Sequence, residues 1–530
     1  MAEVRREHED VRIEDVNVLA GGRSAKPPPA WRKTADIIGM LLILVPRRRD
    51  LSARAPQRGR LRPHSFLSHS LLLGWISLLP LHAQQAVPRF RTAADARAYG
   101  EAHERAHQYE AVAAAYQQEA VIRRRTGDPQ AAEIEQRRAE RIRTDVALAV
   151  TAPVPVRAQK LAKLEPLAGC YLGALDDYAD RDDADTFGRR IGKRLALCFD
   201  YSPYGAPFPM EWARRQADAG RAIQSAWEPR DIYAVQDDDY LNQWAKDAAA
   251  CGCPVFLRFG GEMNGNWTPW GRDPLAYRRA FRLVHTVVNR YASNVALVWA
   301  PGAVPTYNLD KYYPGDDVVD WVGISLYLVR FNDDNLSRPA YLDGPASFIA
   351  PFYAKYAARK PLCLTECGVS RRSHVEGRDA DDFASARIFD LLDAIKIRFP
   401  RLKMFCWFPR NNLATARAGR QLNDYSLPDG SPALAAFRAA VSDPYFLSHF
   451  GDAPPFRYQV IGSRLPPGYV GSLSAAISTY SLDPTLEIAA KGVVRRTGHP
   501  FSLFVSPALG PLTVRVRDAQ GNVAKSVVVK

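Results

Sequence analysis

Between about residues 165 and 445 the chain alternates eight times between a short apolar run and an amphipathic stretch, and no other feature restricts its fold as much. The apolar runs are 170–176, 194–201, 222–229, 254–262, 295–301, 321–327, 361–368 and 402–409. They are apolar almost without interruption, which fits strands buried on both faces, as in a parallel sheet. Helical stretches such as 238–250, 274–291 and 379–397 lie between them. Eight strand–helix units predict an α/β fold, the (β/α)8 TIM barrel. An open doubly wound sheet is disfavoured, because no glycine-rich phosphate loop follows the first run.

A barrel takes roughly 250 residues, and the chain has 530. Residues 92–148 are rich in Ala, Glu, Gln and Arg, broken by Gly127–Pro129. They predict a helical hairpin similar to part of a tetratricopeptide array, either a packing appendage or a docking element for a protein partner. From 452 to 530, Pro-rich punctuation and alternating runs such as 501–505 and 512–517 predict a small β-sandwich. It either binds carbohydrate or packs against the barrel.

The start of the chain reads as a targeting segment. Residues 60–83 place Arg60 and Arg62 before an apolar core and end on Ala83, the order of a cleaved signal peptide. The expected product is exported to the periplasm, the cell surface or the medium. Residues 1–59, rich in Arg and Pro, then read as an extension from an upstream start. The apolar core is shorter than the roughly 20 residues of a membrane span, so no membrane-spanning segment is expected in the mature chain.

Part of the net charge of +14 sits in the first 83 residues and the rest is well mixed along the chain, without a basic stripe interleaved with aromatics, which argues against a nucleic-acid partner. Seven cysteines lack zinc-like spacing, and the ten histidines are scattered. No metal or organic cofactor is implied. Cys170, Cys198, Cys363 and Cys406 fall in apolar runs and read as buried thiols, whereas Cys251 and Cys253 form a lone C-x-C whose pairing is left open.

Chemistry-capable side chains gather at the C-terminal ends of the predicted strands: Asp176, Asp200, Glu228, Glu262, Tyr327, Glu366 and Trp407. That end of a barrel carries the active site. Cleaving a glycosidic bond takes a proton donor and a second carboxylate on the opposite side of the anomeric carbon. Glu262 and Glu366 end the fourth and seventh strands, which face one another across a closed barrel. Glu262 lies in RFGGEMNGNWTPWG (258–271), and Glu366 lies in TECG (365–368). Trp267 and Trp270 are candidates to stack on sugar rings or to fill core. Arg258 is a candidate to hold a carboxylate or a substrate hydroxyl, or to form a salt bridge inside the barrel.

The segment 258–271 resembles the acid/base segment of glycoside hydrolase family 26, which includes endo-β-mannanases. The resemblance rests on Glu262, Met263, Asn264, Gly265 and Trp267, with Glu366 in LTECG at the nucleophile position. Tyr327 after the sixth strand, Asp320 seven positions before it, and Trp407 ending the eighth strand match further family positions. The resemblance covers roughly 165–445. It implies a retaining, endo-acting glycosidase of a β-linked polysaccharide, with Glu262 as acid/base and Glu366 as nucleophile. Arg258, Asn264, Trp267, Trp270, Asp320, Tyr327 and Trp407 are then the expected substrate-binding residues. Two positions depart from the mannanase pattern: Gly261 replaces a His, and Ser325 replaces an Asp. Mannan is the first expected substrate. Mixed-linkage β-glucan, a bacterial exopolysaccharide and a non-catalytic carbohydrate-binding barrel are the alternatives.

Overall fold

The computed structural model describes residues 87–106, 108–155, 160–176 and 183–530. The extension at 1–59 and the leader at 60–83 lie outside the described residues.

The first described elements are helices α1 (Ala93–Arg105), α2 (Tyr109–Arg125) and α3 (Pro129–Ile142). Region 92–148 therefore holds three helices rather than a hairpin. Thr92 and Asp128 cap α1 and α3 by accepting from the backbone N–H groups of Asp95 and Ala131. Val112, Tyr116, Ala139 and Ile142 form the small core of this bundle. The chain then enters strand β1 (Asp145–Pro153).

The barrel strands are β2 (Cys170–Leu175), β3 (Leu197–Pro203), β4 (Ala222–Glu228), β5 (Val255–Phe259), β6 (Val295–Trp299), β7 (Trp321–Leu328), β8 (Leu362–Val369) and, after the two-residue β9 (Arg372–Ser373), β10 (Leu402–Trp407). Their helices are α4 (Ala184–Ile191), α5 (Met210–Asp218), α6 (Asp239–Ala250), α7 (Pro274–Tyr291), α8 (Leu309–Tyr312), α9 (Pro345–Tyr356), α10 (Asp381–Asp393) and, beyond the short α11 (Asn412–Thr415), α12 (Pro432–Val441). Neighbouring barrel strands pair in parallel, and β10 returns to β2 through Met404↔Tyr171 to Trp407↔Ala174, which closes the ring. β9 pairs with β11 (Asn423–Asp424) at the mouth, and β12 (Phe446–Leu447) adds to the start of β2.

The pleat sorts the strand side chains into two layers. Tyr171, Leu197, Phe199, Phe256, Val298, Cys363, Met404 and Cys406 fill the barrel interior. Leu172, Cys198, Leu257, Leu297, Leu364, Phe405 and Trp407 pack outward against the helices. All seven cysteines are buried thiols.

The C-terminal module comprises β13 (Phe456–Ile461), β14 (Gly471–Ser478), β15 (Thr485–Ala490), β16 (Val493–Thr497), β17 (Ser502–Val505), β18 (Leu512–Arg517) and β19 (Val523–Val529). They form two four-stranded sheets, β13-β1-β14-β17 and β16-β15-β18-β19, around one core that includes Leu148, Leu473, Ile488, Val505 and Val514. The module is not the self-contained 452–530 unit that the sequence suggests. Strand β1, from before the barrel, sits between β13 and β14, so the barrel is inserted into the sandwich. Among the described residues no helix is long and apolar enough to cross a membrane.

Candidate active site

The inner faces of the strand ends converge on Arg258 of β5. Its guanidinium is 2% exposed, donating from Nη1 to Glu366 Oε2 at 2.6 Å and from Nη2 to Ser325 Oγ at 2.9 Å. Nη2 also lies 3.9 Å from Glu262 Oε1. One cation therefore serves both candidate carboxylates. The two departures from the mannanase pattern meet here. Ser325 accepts from Arg258, and a Cβ on residue 261 would lie 2.5 Å from Arg258 Nε, so the guanidinium occupies space that a side chain at 261 would need.

Glu366 reaches the interior by a break in alternation. On β8, Leu364 and Cys367 both pack outward, three positions apart. The pairing of β8 with β7 and with β10 shifts register between them. Such a bulge re-aims side chains and turns Glu366 inward. Its carboxylate accepts from Tyr201 Oη at 2.5 Å and Tyr327 Oη at 3.1 Å, besides Arg258. Burial opposes its ionisation, but the Arg258 charge and the three donated hydrogen bonds outweigh that and hold it below the usual carboxylate range.

Glu262 sits in the turn that follows β5. Gly260 and Glu262 both adopt left-handed backbone, with φ of 54° and 59°. For a non-glycine residue that conformation costs on the order of 1 kcal/mol and is a mark of functional turns. The backbone N–H of Glu262 donates to Ala300 O at 2.8 Å, and Trp267 Nε1 donates to its Oε2 at 2.6 Å. Burial and the negative charge of Glu366 push this carboxyl up, against the opposing pull of Arg258 and Trp267. The two carboxyls are thus driven in opposite directions around one arginine.

A third carboxyl, Glu228 at the end of β4, faces the same space. Burial, opposed by Arg258 and reinforced by Glu366 and Glu262, pushes it up to about 7. Tyr201, at the end of β3, was not singled out by sequence reasoning. Its signal, a Tyr one residue after the strand-end Asp200, was visible but no more marked than many others.

The other expected binding residues divide. Tyr327 joins Glu366, and Trp267 stands 44% exposed beside Glu262. Trp270 is a correction: it is buried, and its indole N–H donates to Gly261 O at 2.7 Å, bracing the turn from behind. Asn264 is also spent on structure. Its amide donates to Gly302 O and Pro305 O and accepts from Gly302 N, tying the loop after β6 to the turn. Asp320 is a correction as well, since it lies at the N-terminal end of β7, where its Oδ2 accepts from Leu297 N at 2.8 Å. Trp407 is the third correction. Strict alternation along β10 points it outward, where it is fully buried against Phe437 of α12 at 4.8 Å. Its neighbour Phe408 faces the mouth, edge-on to Tyr327 at 5.7 Å.

A closed parallel barrel carrying paired carboxylates at its strand ends has the architecture of a (β/α)8 enzyme. The sequence profile described as glycosyl hydrolase family 26 matches residues 225–343, which run from β4 through the turn bearing Glu262 and β7. The match covers the middle of the barrel. Endoglucanase H of Acetivibrio thermocellus is 24% identical over 294 residues, 51% of this chain and 30% of that protein. β-1,3-Xylanase TXYA of a Vibrio species is 37% identical over 84 residues, 14% of this chain and 17% of that protein. The chain thus spans less than a third of either relative. Among solved structures, a family 26 β-mannanase from Bacteroides ovatus is 18% identical with a TM-score of 0.38, covering 54% of this chain and 92% of that one. A modular endo-β-1,4-mannanase from Cellulomonas fimi is 16% identical with a TM-score of 0.40, covering 70% and 99%.

Proposed function

We propose that this protein is a retaining glycoside hydrolase of a β-linked polysaccharide, with Glu366 as nucleophile and Glu262 as acid/base. The observation that carries this reading is the split around Arg258: Glu366 is held ionised by three donors while Glu262 is held toward its protonated form. Environments that drive two carboxyls apart assign the acid and the base.

The Glu366 carboxylate attacks the anomeric carbon while Glu262 gives its proton to the departing glycosidic oxygen. The C–O bond breaks and a glycosyl ester forms on Glu366. Glu262, now ionised, takes a proton from water as that water attacks the anomeric carbon, and Glu366 leaves as carboxylate. Tyr201 and Tyr327 hold Glu366 in line, and the Trp267 N–H steadies Glu262 in both protonation states.

The motif resemblance puts β-1,4-mannan first among substrates, with endo action. The match to a protein named a β-1,3-xylanase supports β-1,3-xylan as the second candidate. The run at 60–83 supports export, with the mature chain beginning at Gln84. The test is release of new reducing ends by residues 84–530 from galactomannan, glucomannan, β-1,3-xylan and lichenan. Cleavage of one of them, abolished by Glu366→Gln, is expected. Failure on all of them, or full turnover by Glu366→Gln, overturns the reading.

A further inference from the structure

The helical bundle is not remote from the barrel mouth. Glu133 of α3 accepts from the backbone N–H of Thr306 at 2.8 Å and of Tyr307 at 3.4 Å. The same loop is held from the other side by Asn264 at Pro305 O, 2.7 Å away, in the turn that carries Glu262. Arg141, a further two turns along α3, pairs with Asp343 at 2.6 Å and docks the helix against the loop before α9. α3 is therefore fixed at the edge of the mouth by contacts at both ends.

Between α3 and the loops after β5 and β6 lies a cavity of about 740 Å³. Volumes of roughly 300–1,000 Å³ are usual for ligand sites. Trp267, Tyr307 and Ile134 line it and are 44%, 46% and 51% exposed, an unusual outlay of large apolar surface in one place. Trp267 is rigid: its indole N–H is tied to Glu262, and a Cβ on Gly265 would lie 2.4 Å from its ring. The bare backbone of Gly265 lets the ring lie flat upon it. Gln130 and Asn266 add amide groups to the lining. Of the three arginines in the wall, Arg137 pairs with Glu133 at 2.8 Å and Arg338 with Asp333, and Arg272 completes the set. Aromatic faces and amides suit a hydroxyl-rich chain such as a glycan.

We propose that this groove is a distal subsite, built jointly by α3 and the barrel, for the leaving-group side of the glycan. The inference rests on the hydrolase reading above. Glu262 delivers its proton to the departing oxygen, so the departing sugar lies on the Glu262 side, and Trp267 joins Glu262 directly to the groove. The occupant is the β-linked chain extending away from the cut. The α3 helix thereby sets how long a substrate must be for efficient cleavage.

The test compares residues 84–530 with Ile134→Arg and Tyr307→Ala, both exposed positions. Hexasaccharide and trisaccharide fragments of whichever polymer is cut best are assayed for kcat/KM. The preference for the hexasaccharide is expected to fall by about tenfold to a hundredfold, the range for loss of one good subsite contact, chiefly through KM. Retardation in gels containing the same polymer is read in parallel on Glu366→Gln, with and without each groove substitution, and is expected to weaken when the groove is altered. Cleavage by the parent chain with an unchanged length preference in both variants overturns the groove while leaving the hydrolase reading intact. No cleavage of any polymer, with retardation that the groove variants abolish, overturns the hydrolase reading and keeps the groove as a glycan site. Neither cleavage nor retardation overturns both.

Discussion

Replacing Arg258 with Met tests whether one guanidinium organises the whole mouth. The variant keeps most of the side-chain volume and removes the cation that lies 2.6 Å from Glu366. Opposite unit charges about 4 Å apart at an effective dielectric near 20 attract by roughly 4 kcal/mol. Breaking a buried pair from one side costs about 3–5 kcal/mol, because the remaining charge is stranded. For a barrel of this size that is a loss of melting temperature on the order of 5–10 °C at neutral pH. The sign with pH is specific. In the native protein Glu366 lies below the ordinary carboxylate range, so its stabilisation is present above the unfolded-state pKa and lost as pH falls through the folded one. In Arg258→Met, burial faces only the hydroxyls of Tyr201 and Tyr327, and the carboxyl moves up. The deficit relative to the native chain therefore grows as pH rises and shrinks in acid. The assay is thermal unfolding at a series of pH values from about 4 to 8, bracketing the carboxylate range. The acid limb of kcat/KM is followed in parallel and should shift to higher pH. A variant as stable as the native chain, or equally weakened at every pH, would refute the claim that Arg258 holds Glu366 ionised.

Three further outcomes are expected. Glu262→Ala should lose about 10²–10⁴ in rate on glycans yet far less on an aryl glycoside with a good leaving group, and added azide should restore turnover of the latter. Trp267→Phe removes the N–H that lowers Glu262, so the alkaline limb of the pH–rate profile should move to higher pH with the fold unchanged by circular dichroism. Glu228 is pushed up to about 7, so it subtracts stability as pH rises from the unfolded carboxylate range through that value. Glu228→Gln should therefore melt above the native chain at pH values above about 7 and level with it near pH 4, both pH values set by the carboxyl range.

The barrel was legible because burial on both faces of a parallel strand writes itself as an unbroken apolar run, repeated at each of β2 to β8 and β10. Glu262 was legible because its turn concentrates Gly260, Gly265, Asn264 and Trp267 within one short segment. The sandwich was only half legible. β1 is an alternating strand directly after a helix, and nothing local says that its partners, β13 and β14, lie some 300 positions later across the entire barrel. Hydrogen-bond partners of that separation leave no periodicity to read.

The misplacement of Trp407 has its cause in the pleat. An aromatic at a strand end is inward or outward according to the parity of its position, and one residue of slip exchanges the two. Along β10 parity holds, so Cys406 and Phe408 face the mouth while Trp407 goes to the helices. Along β8 parity fails between Leu364 and Cys367, and Glu366 faces inward because of that failure. A strict period of two carried from the outward Leu364 would send Glu366 into the apolar layer packed against the helices. On the proposed mechanism the bulge is a requirement rather than an irregularity. A carboxylate can be ionised and nearly dry only where donors converge, and the register shift delivers Glu366 to Arg258, Tyr201 and Tyr327 together. Deleting one residue from the bulge, at Thr365, should restore regular pairing, turn the carboxylate away and abolish activity. If a Thr365 deletion kept both fold and turnover, the register shift would not be what aims Glu366.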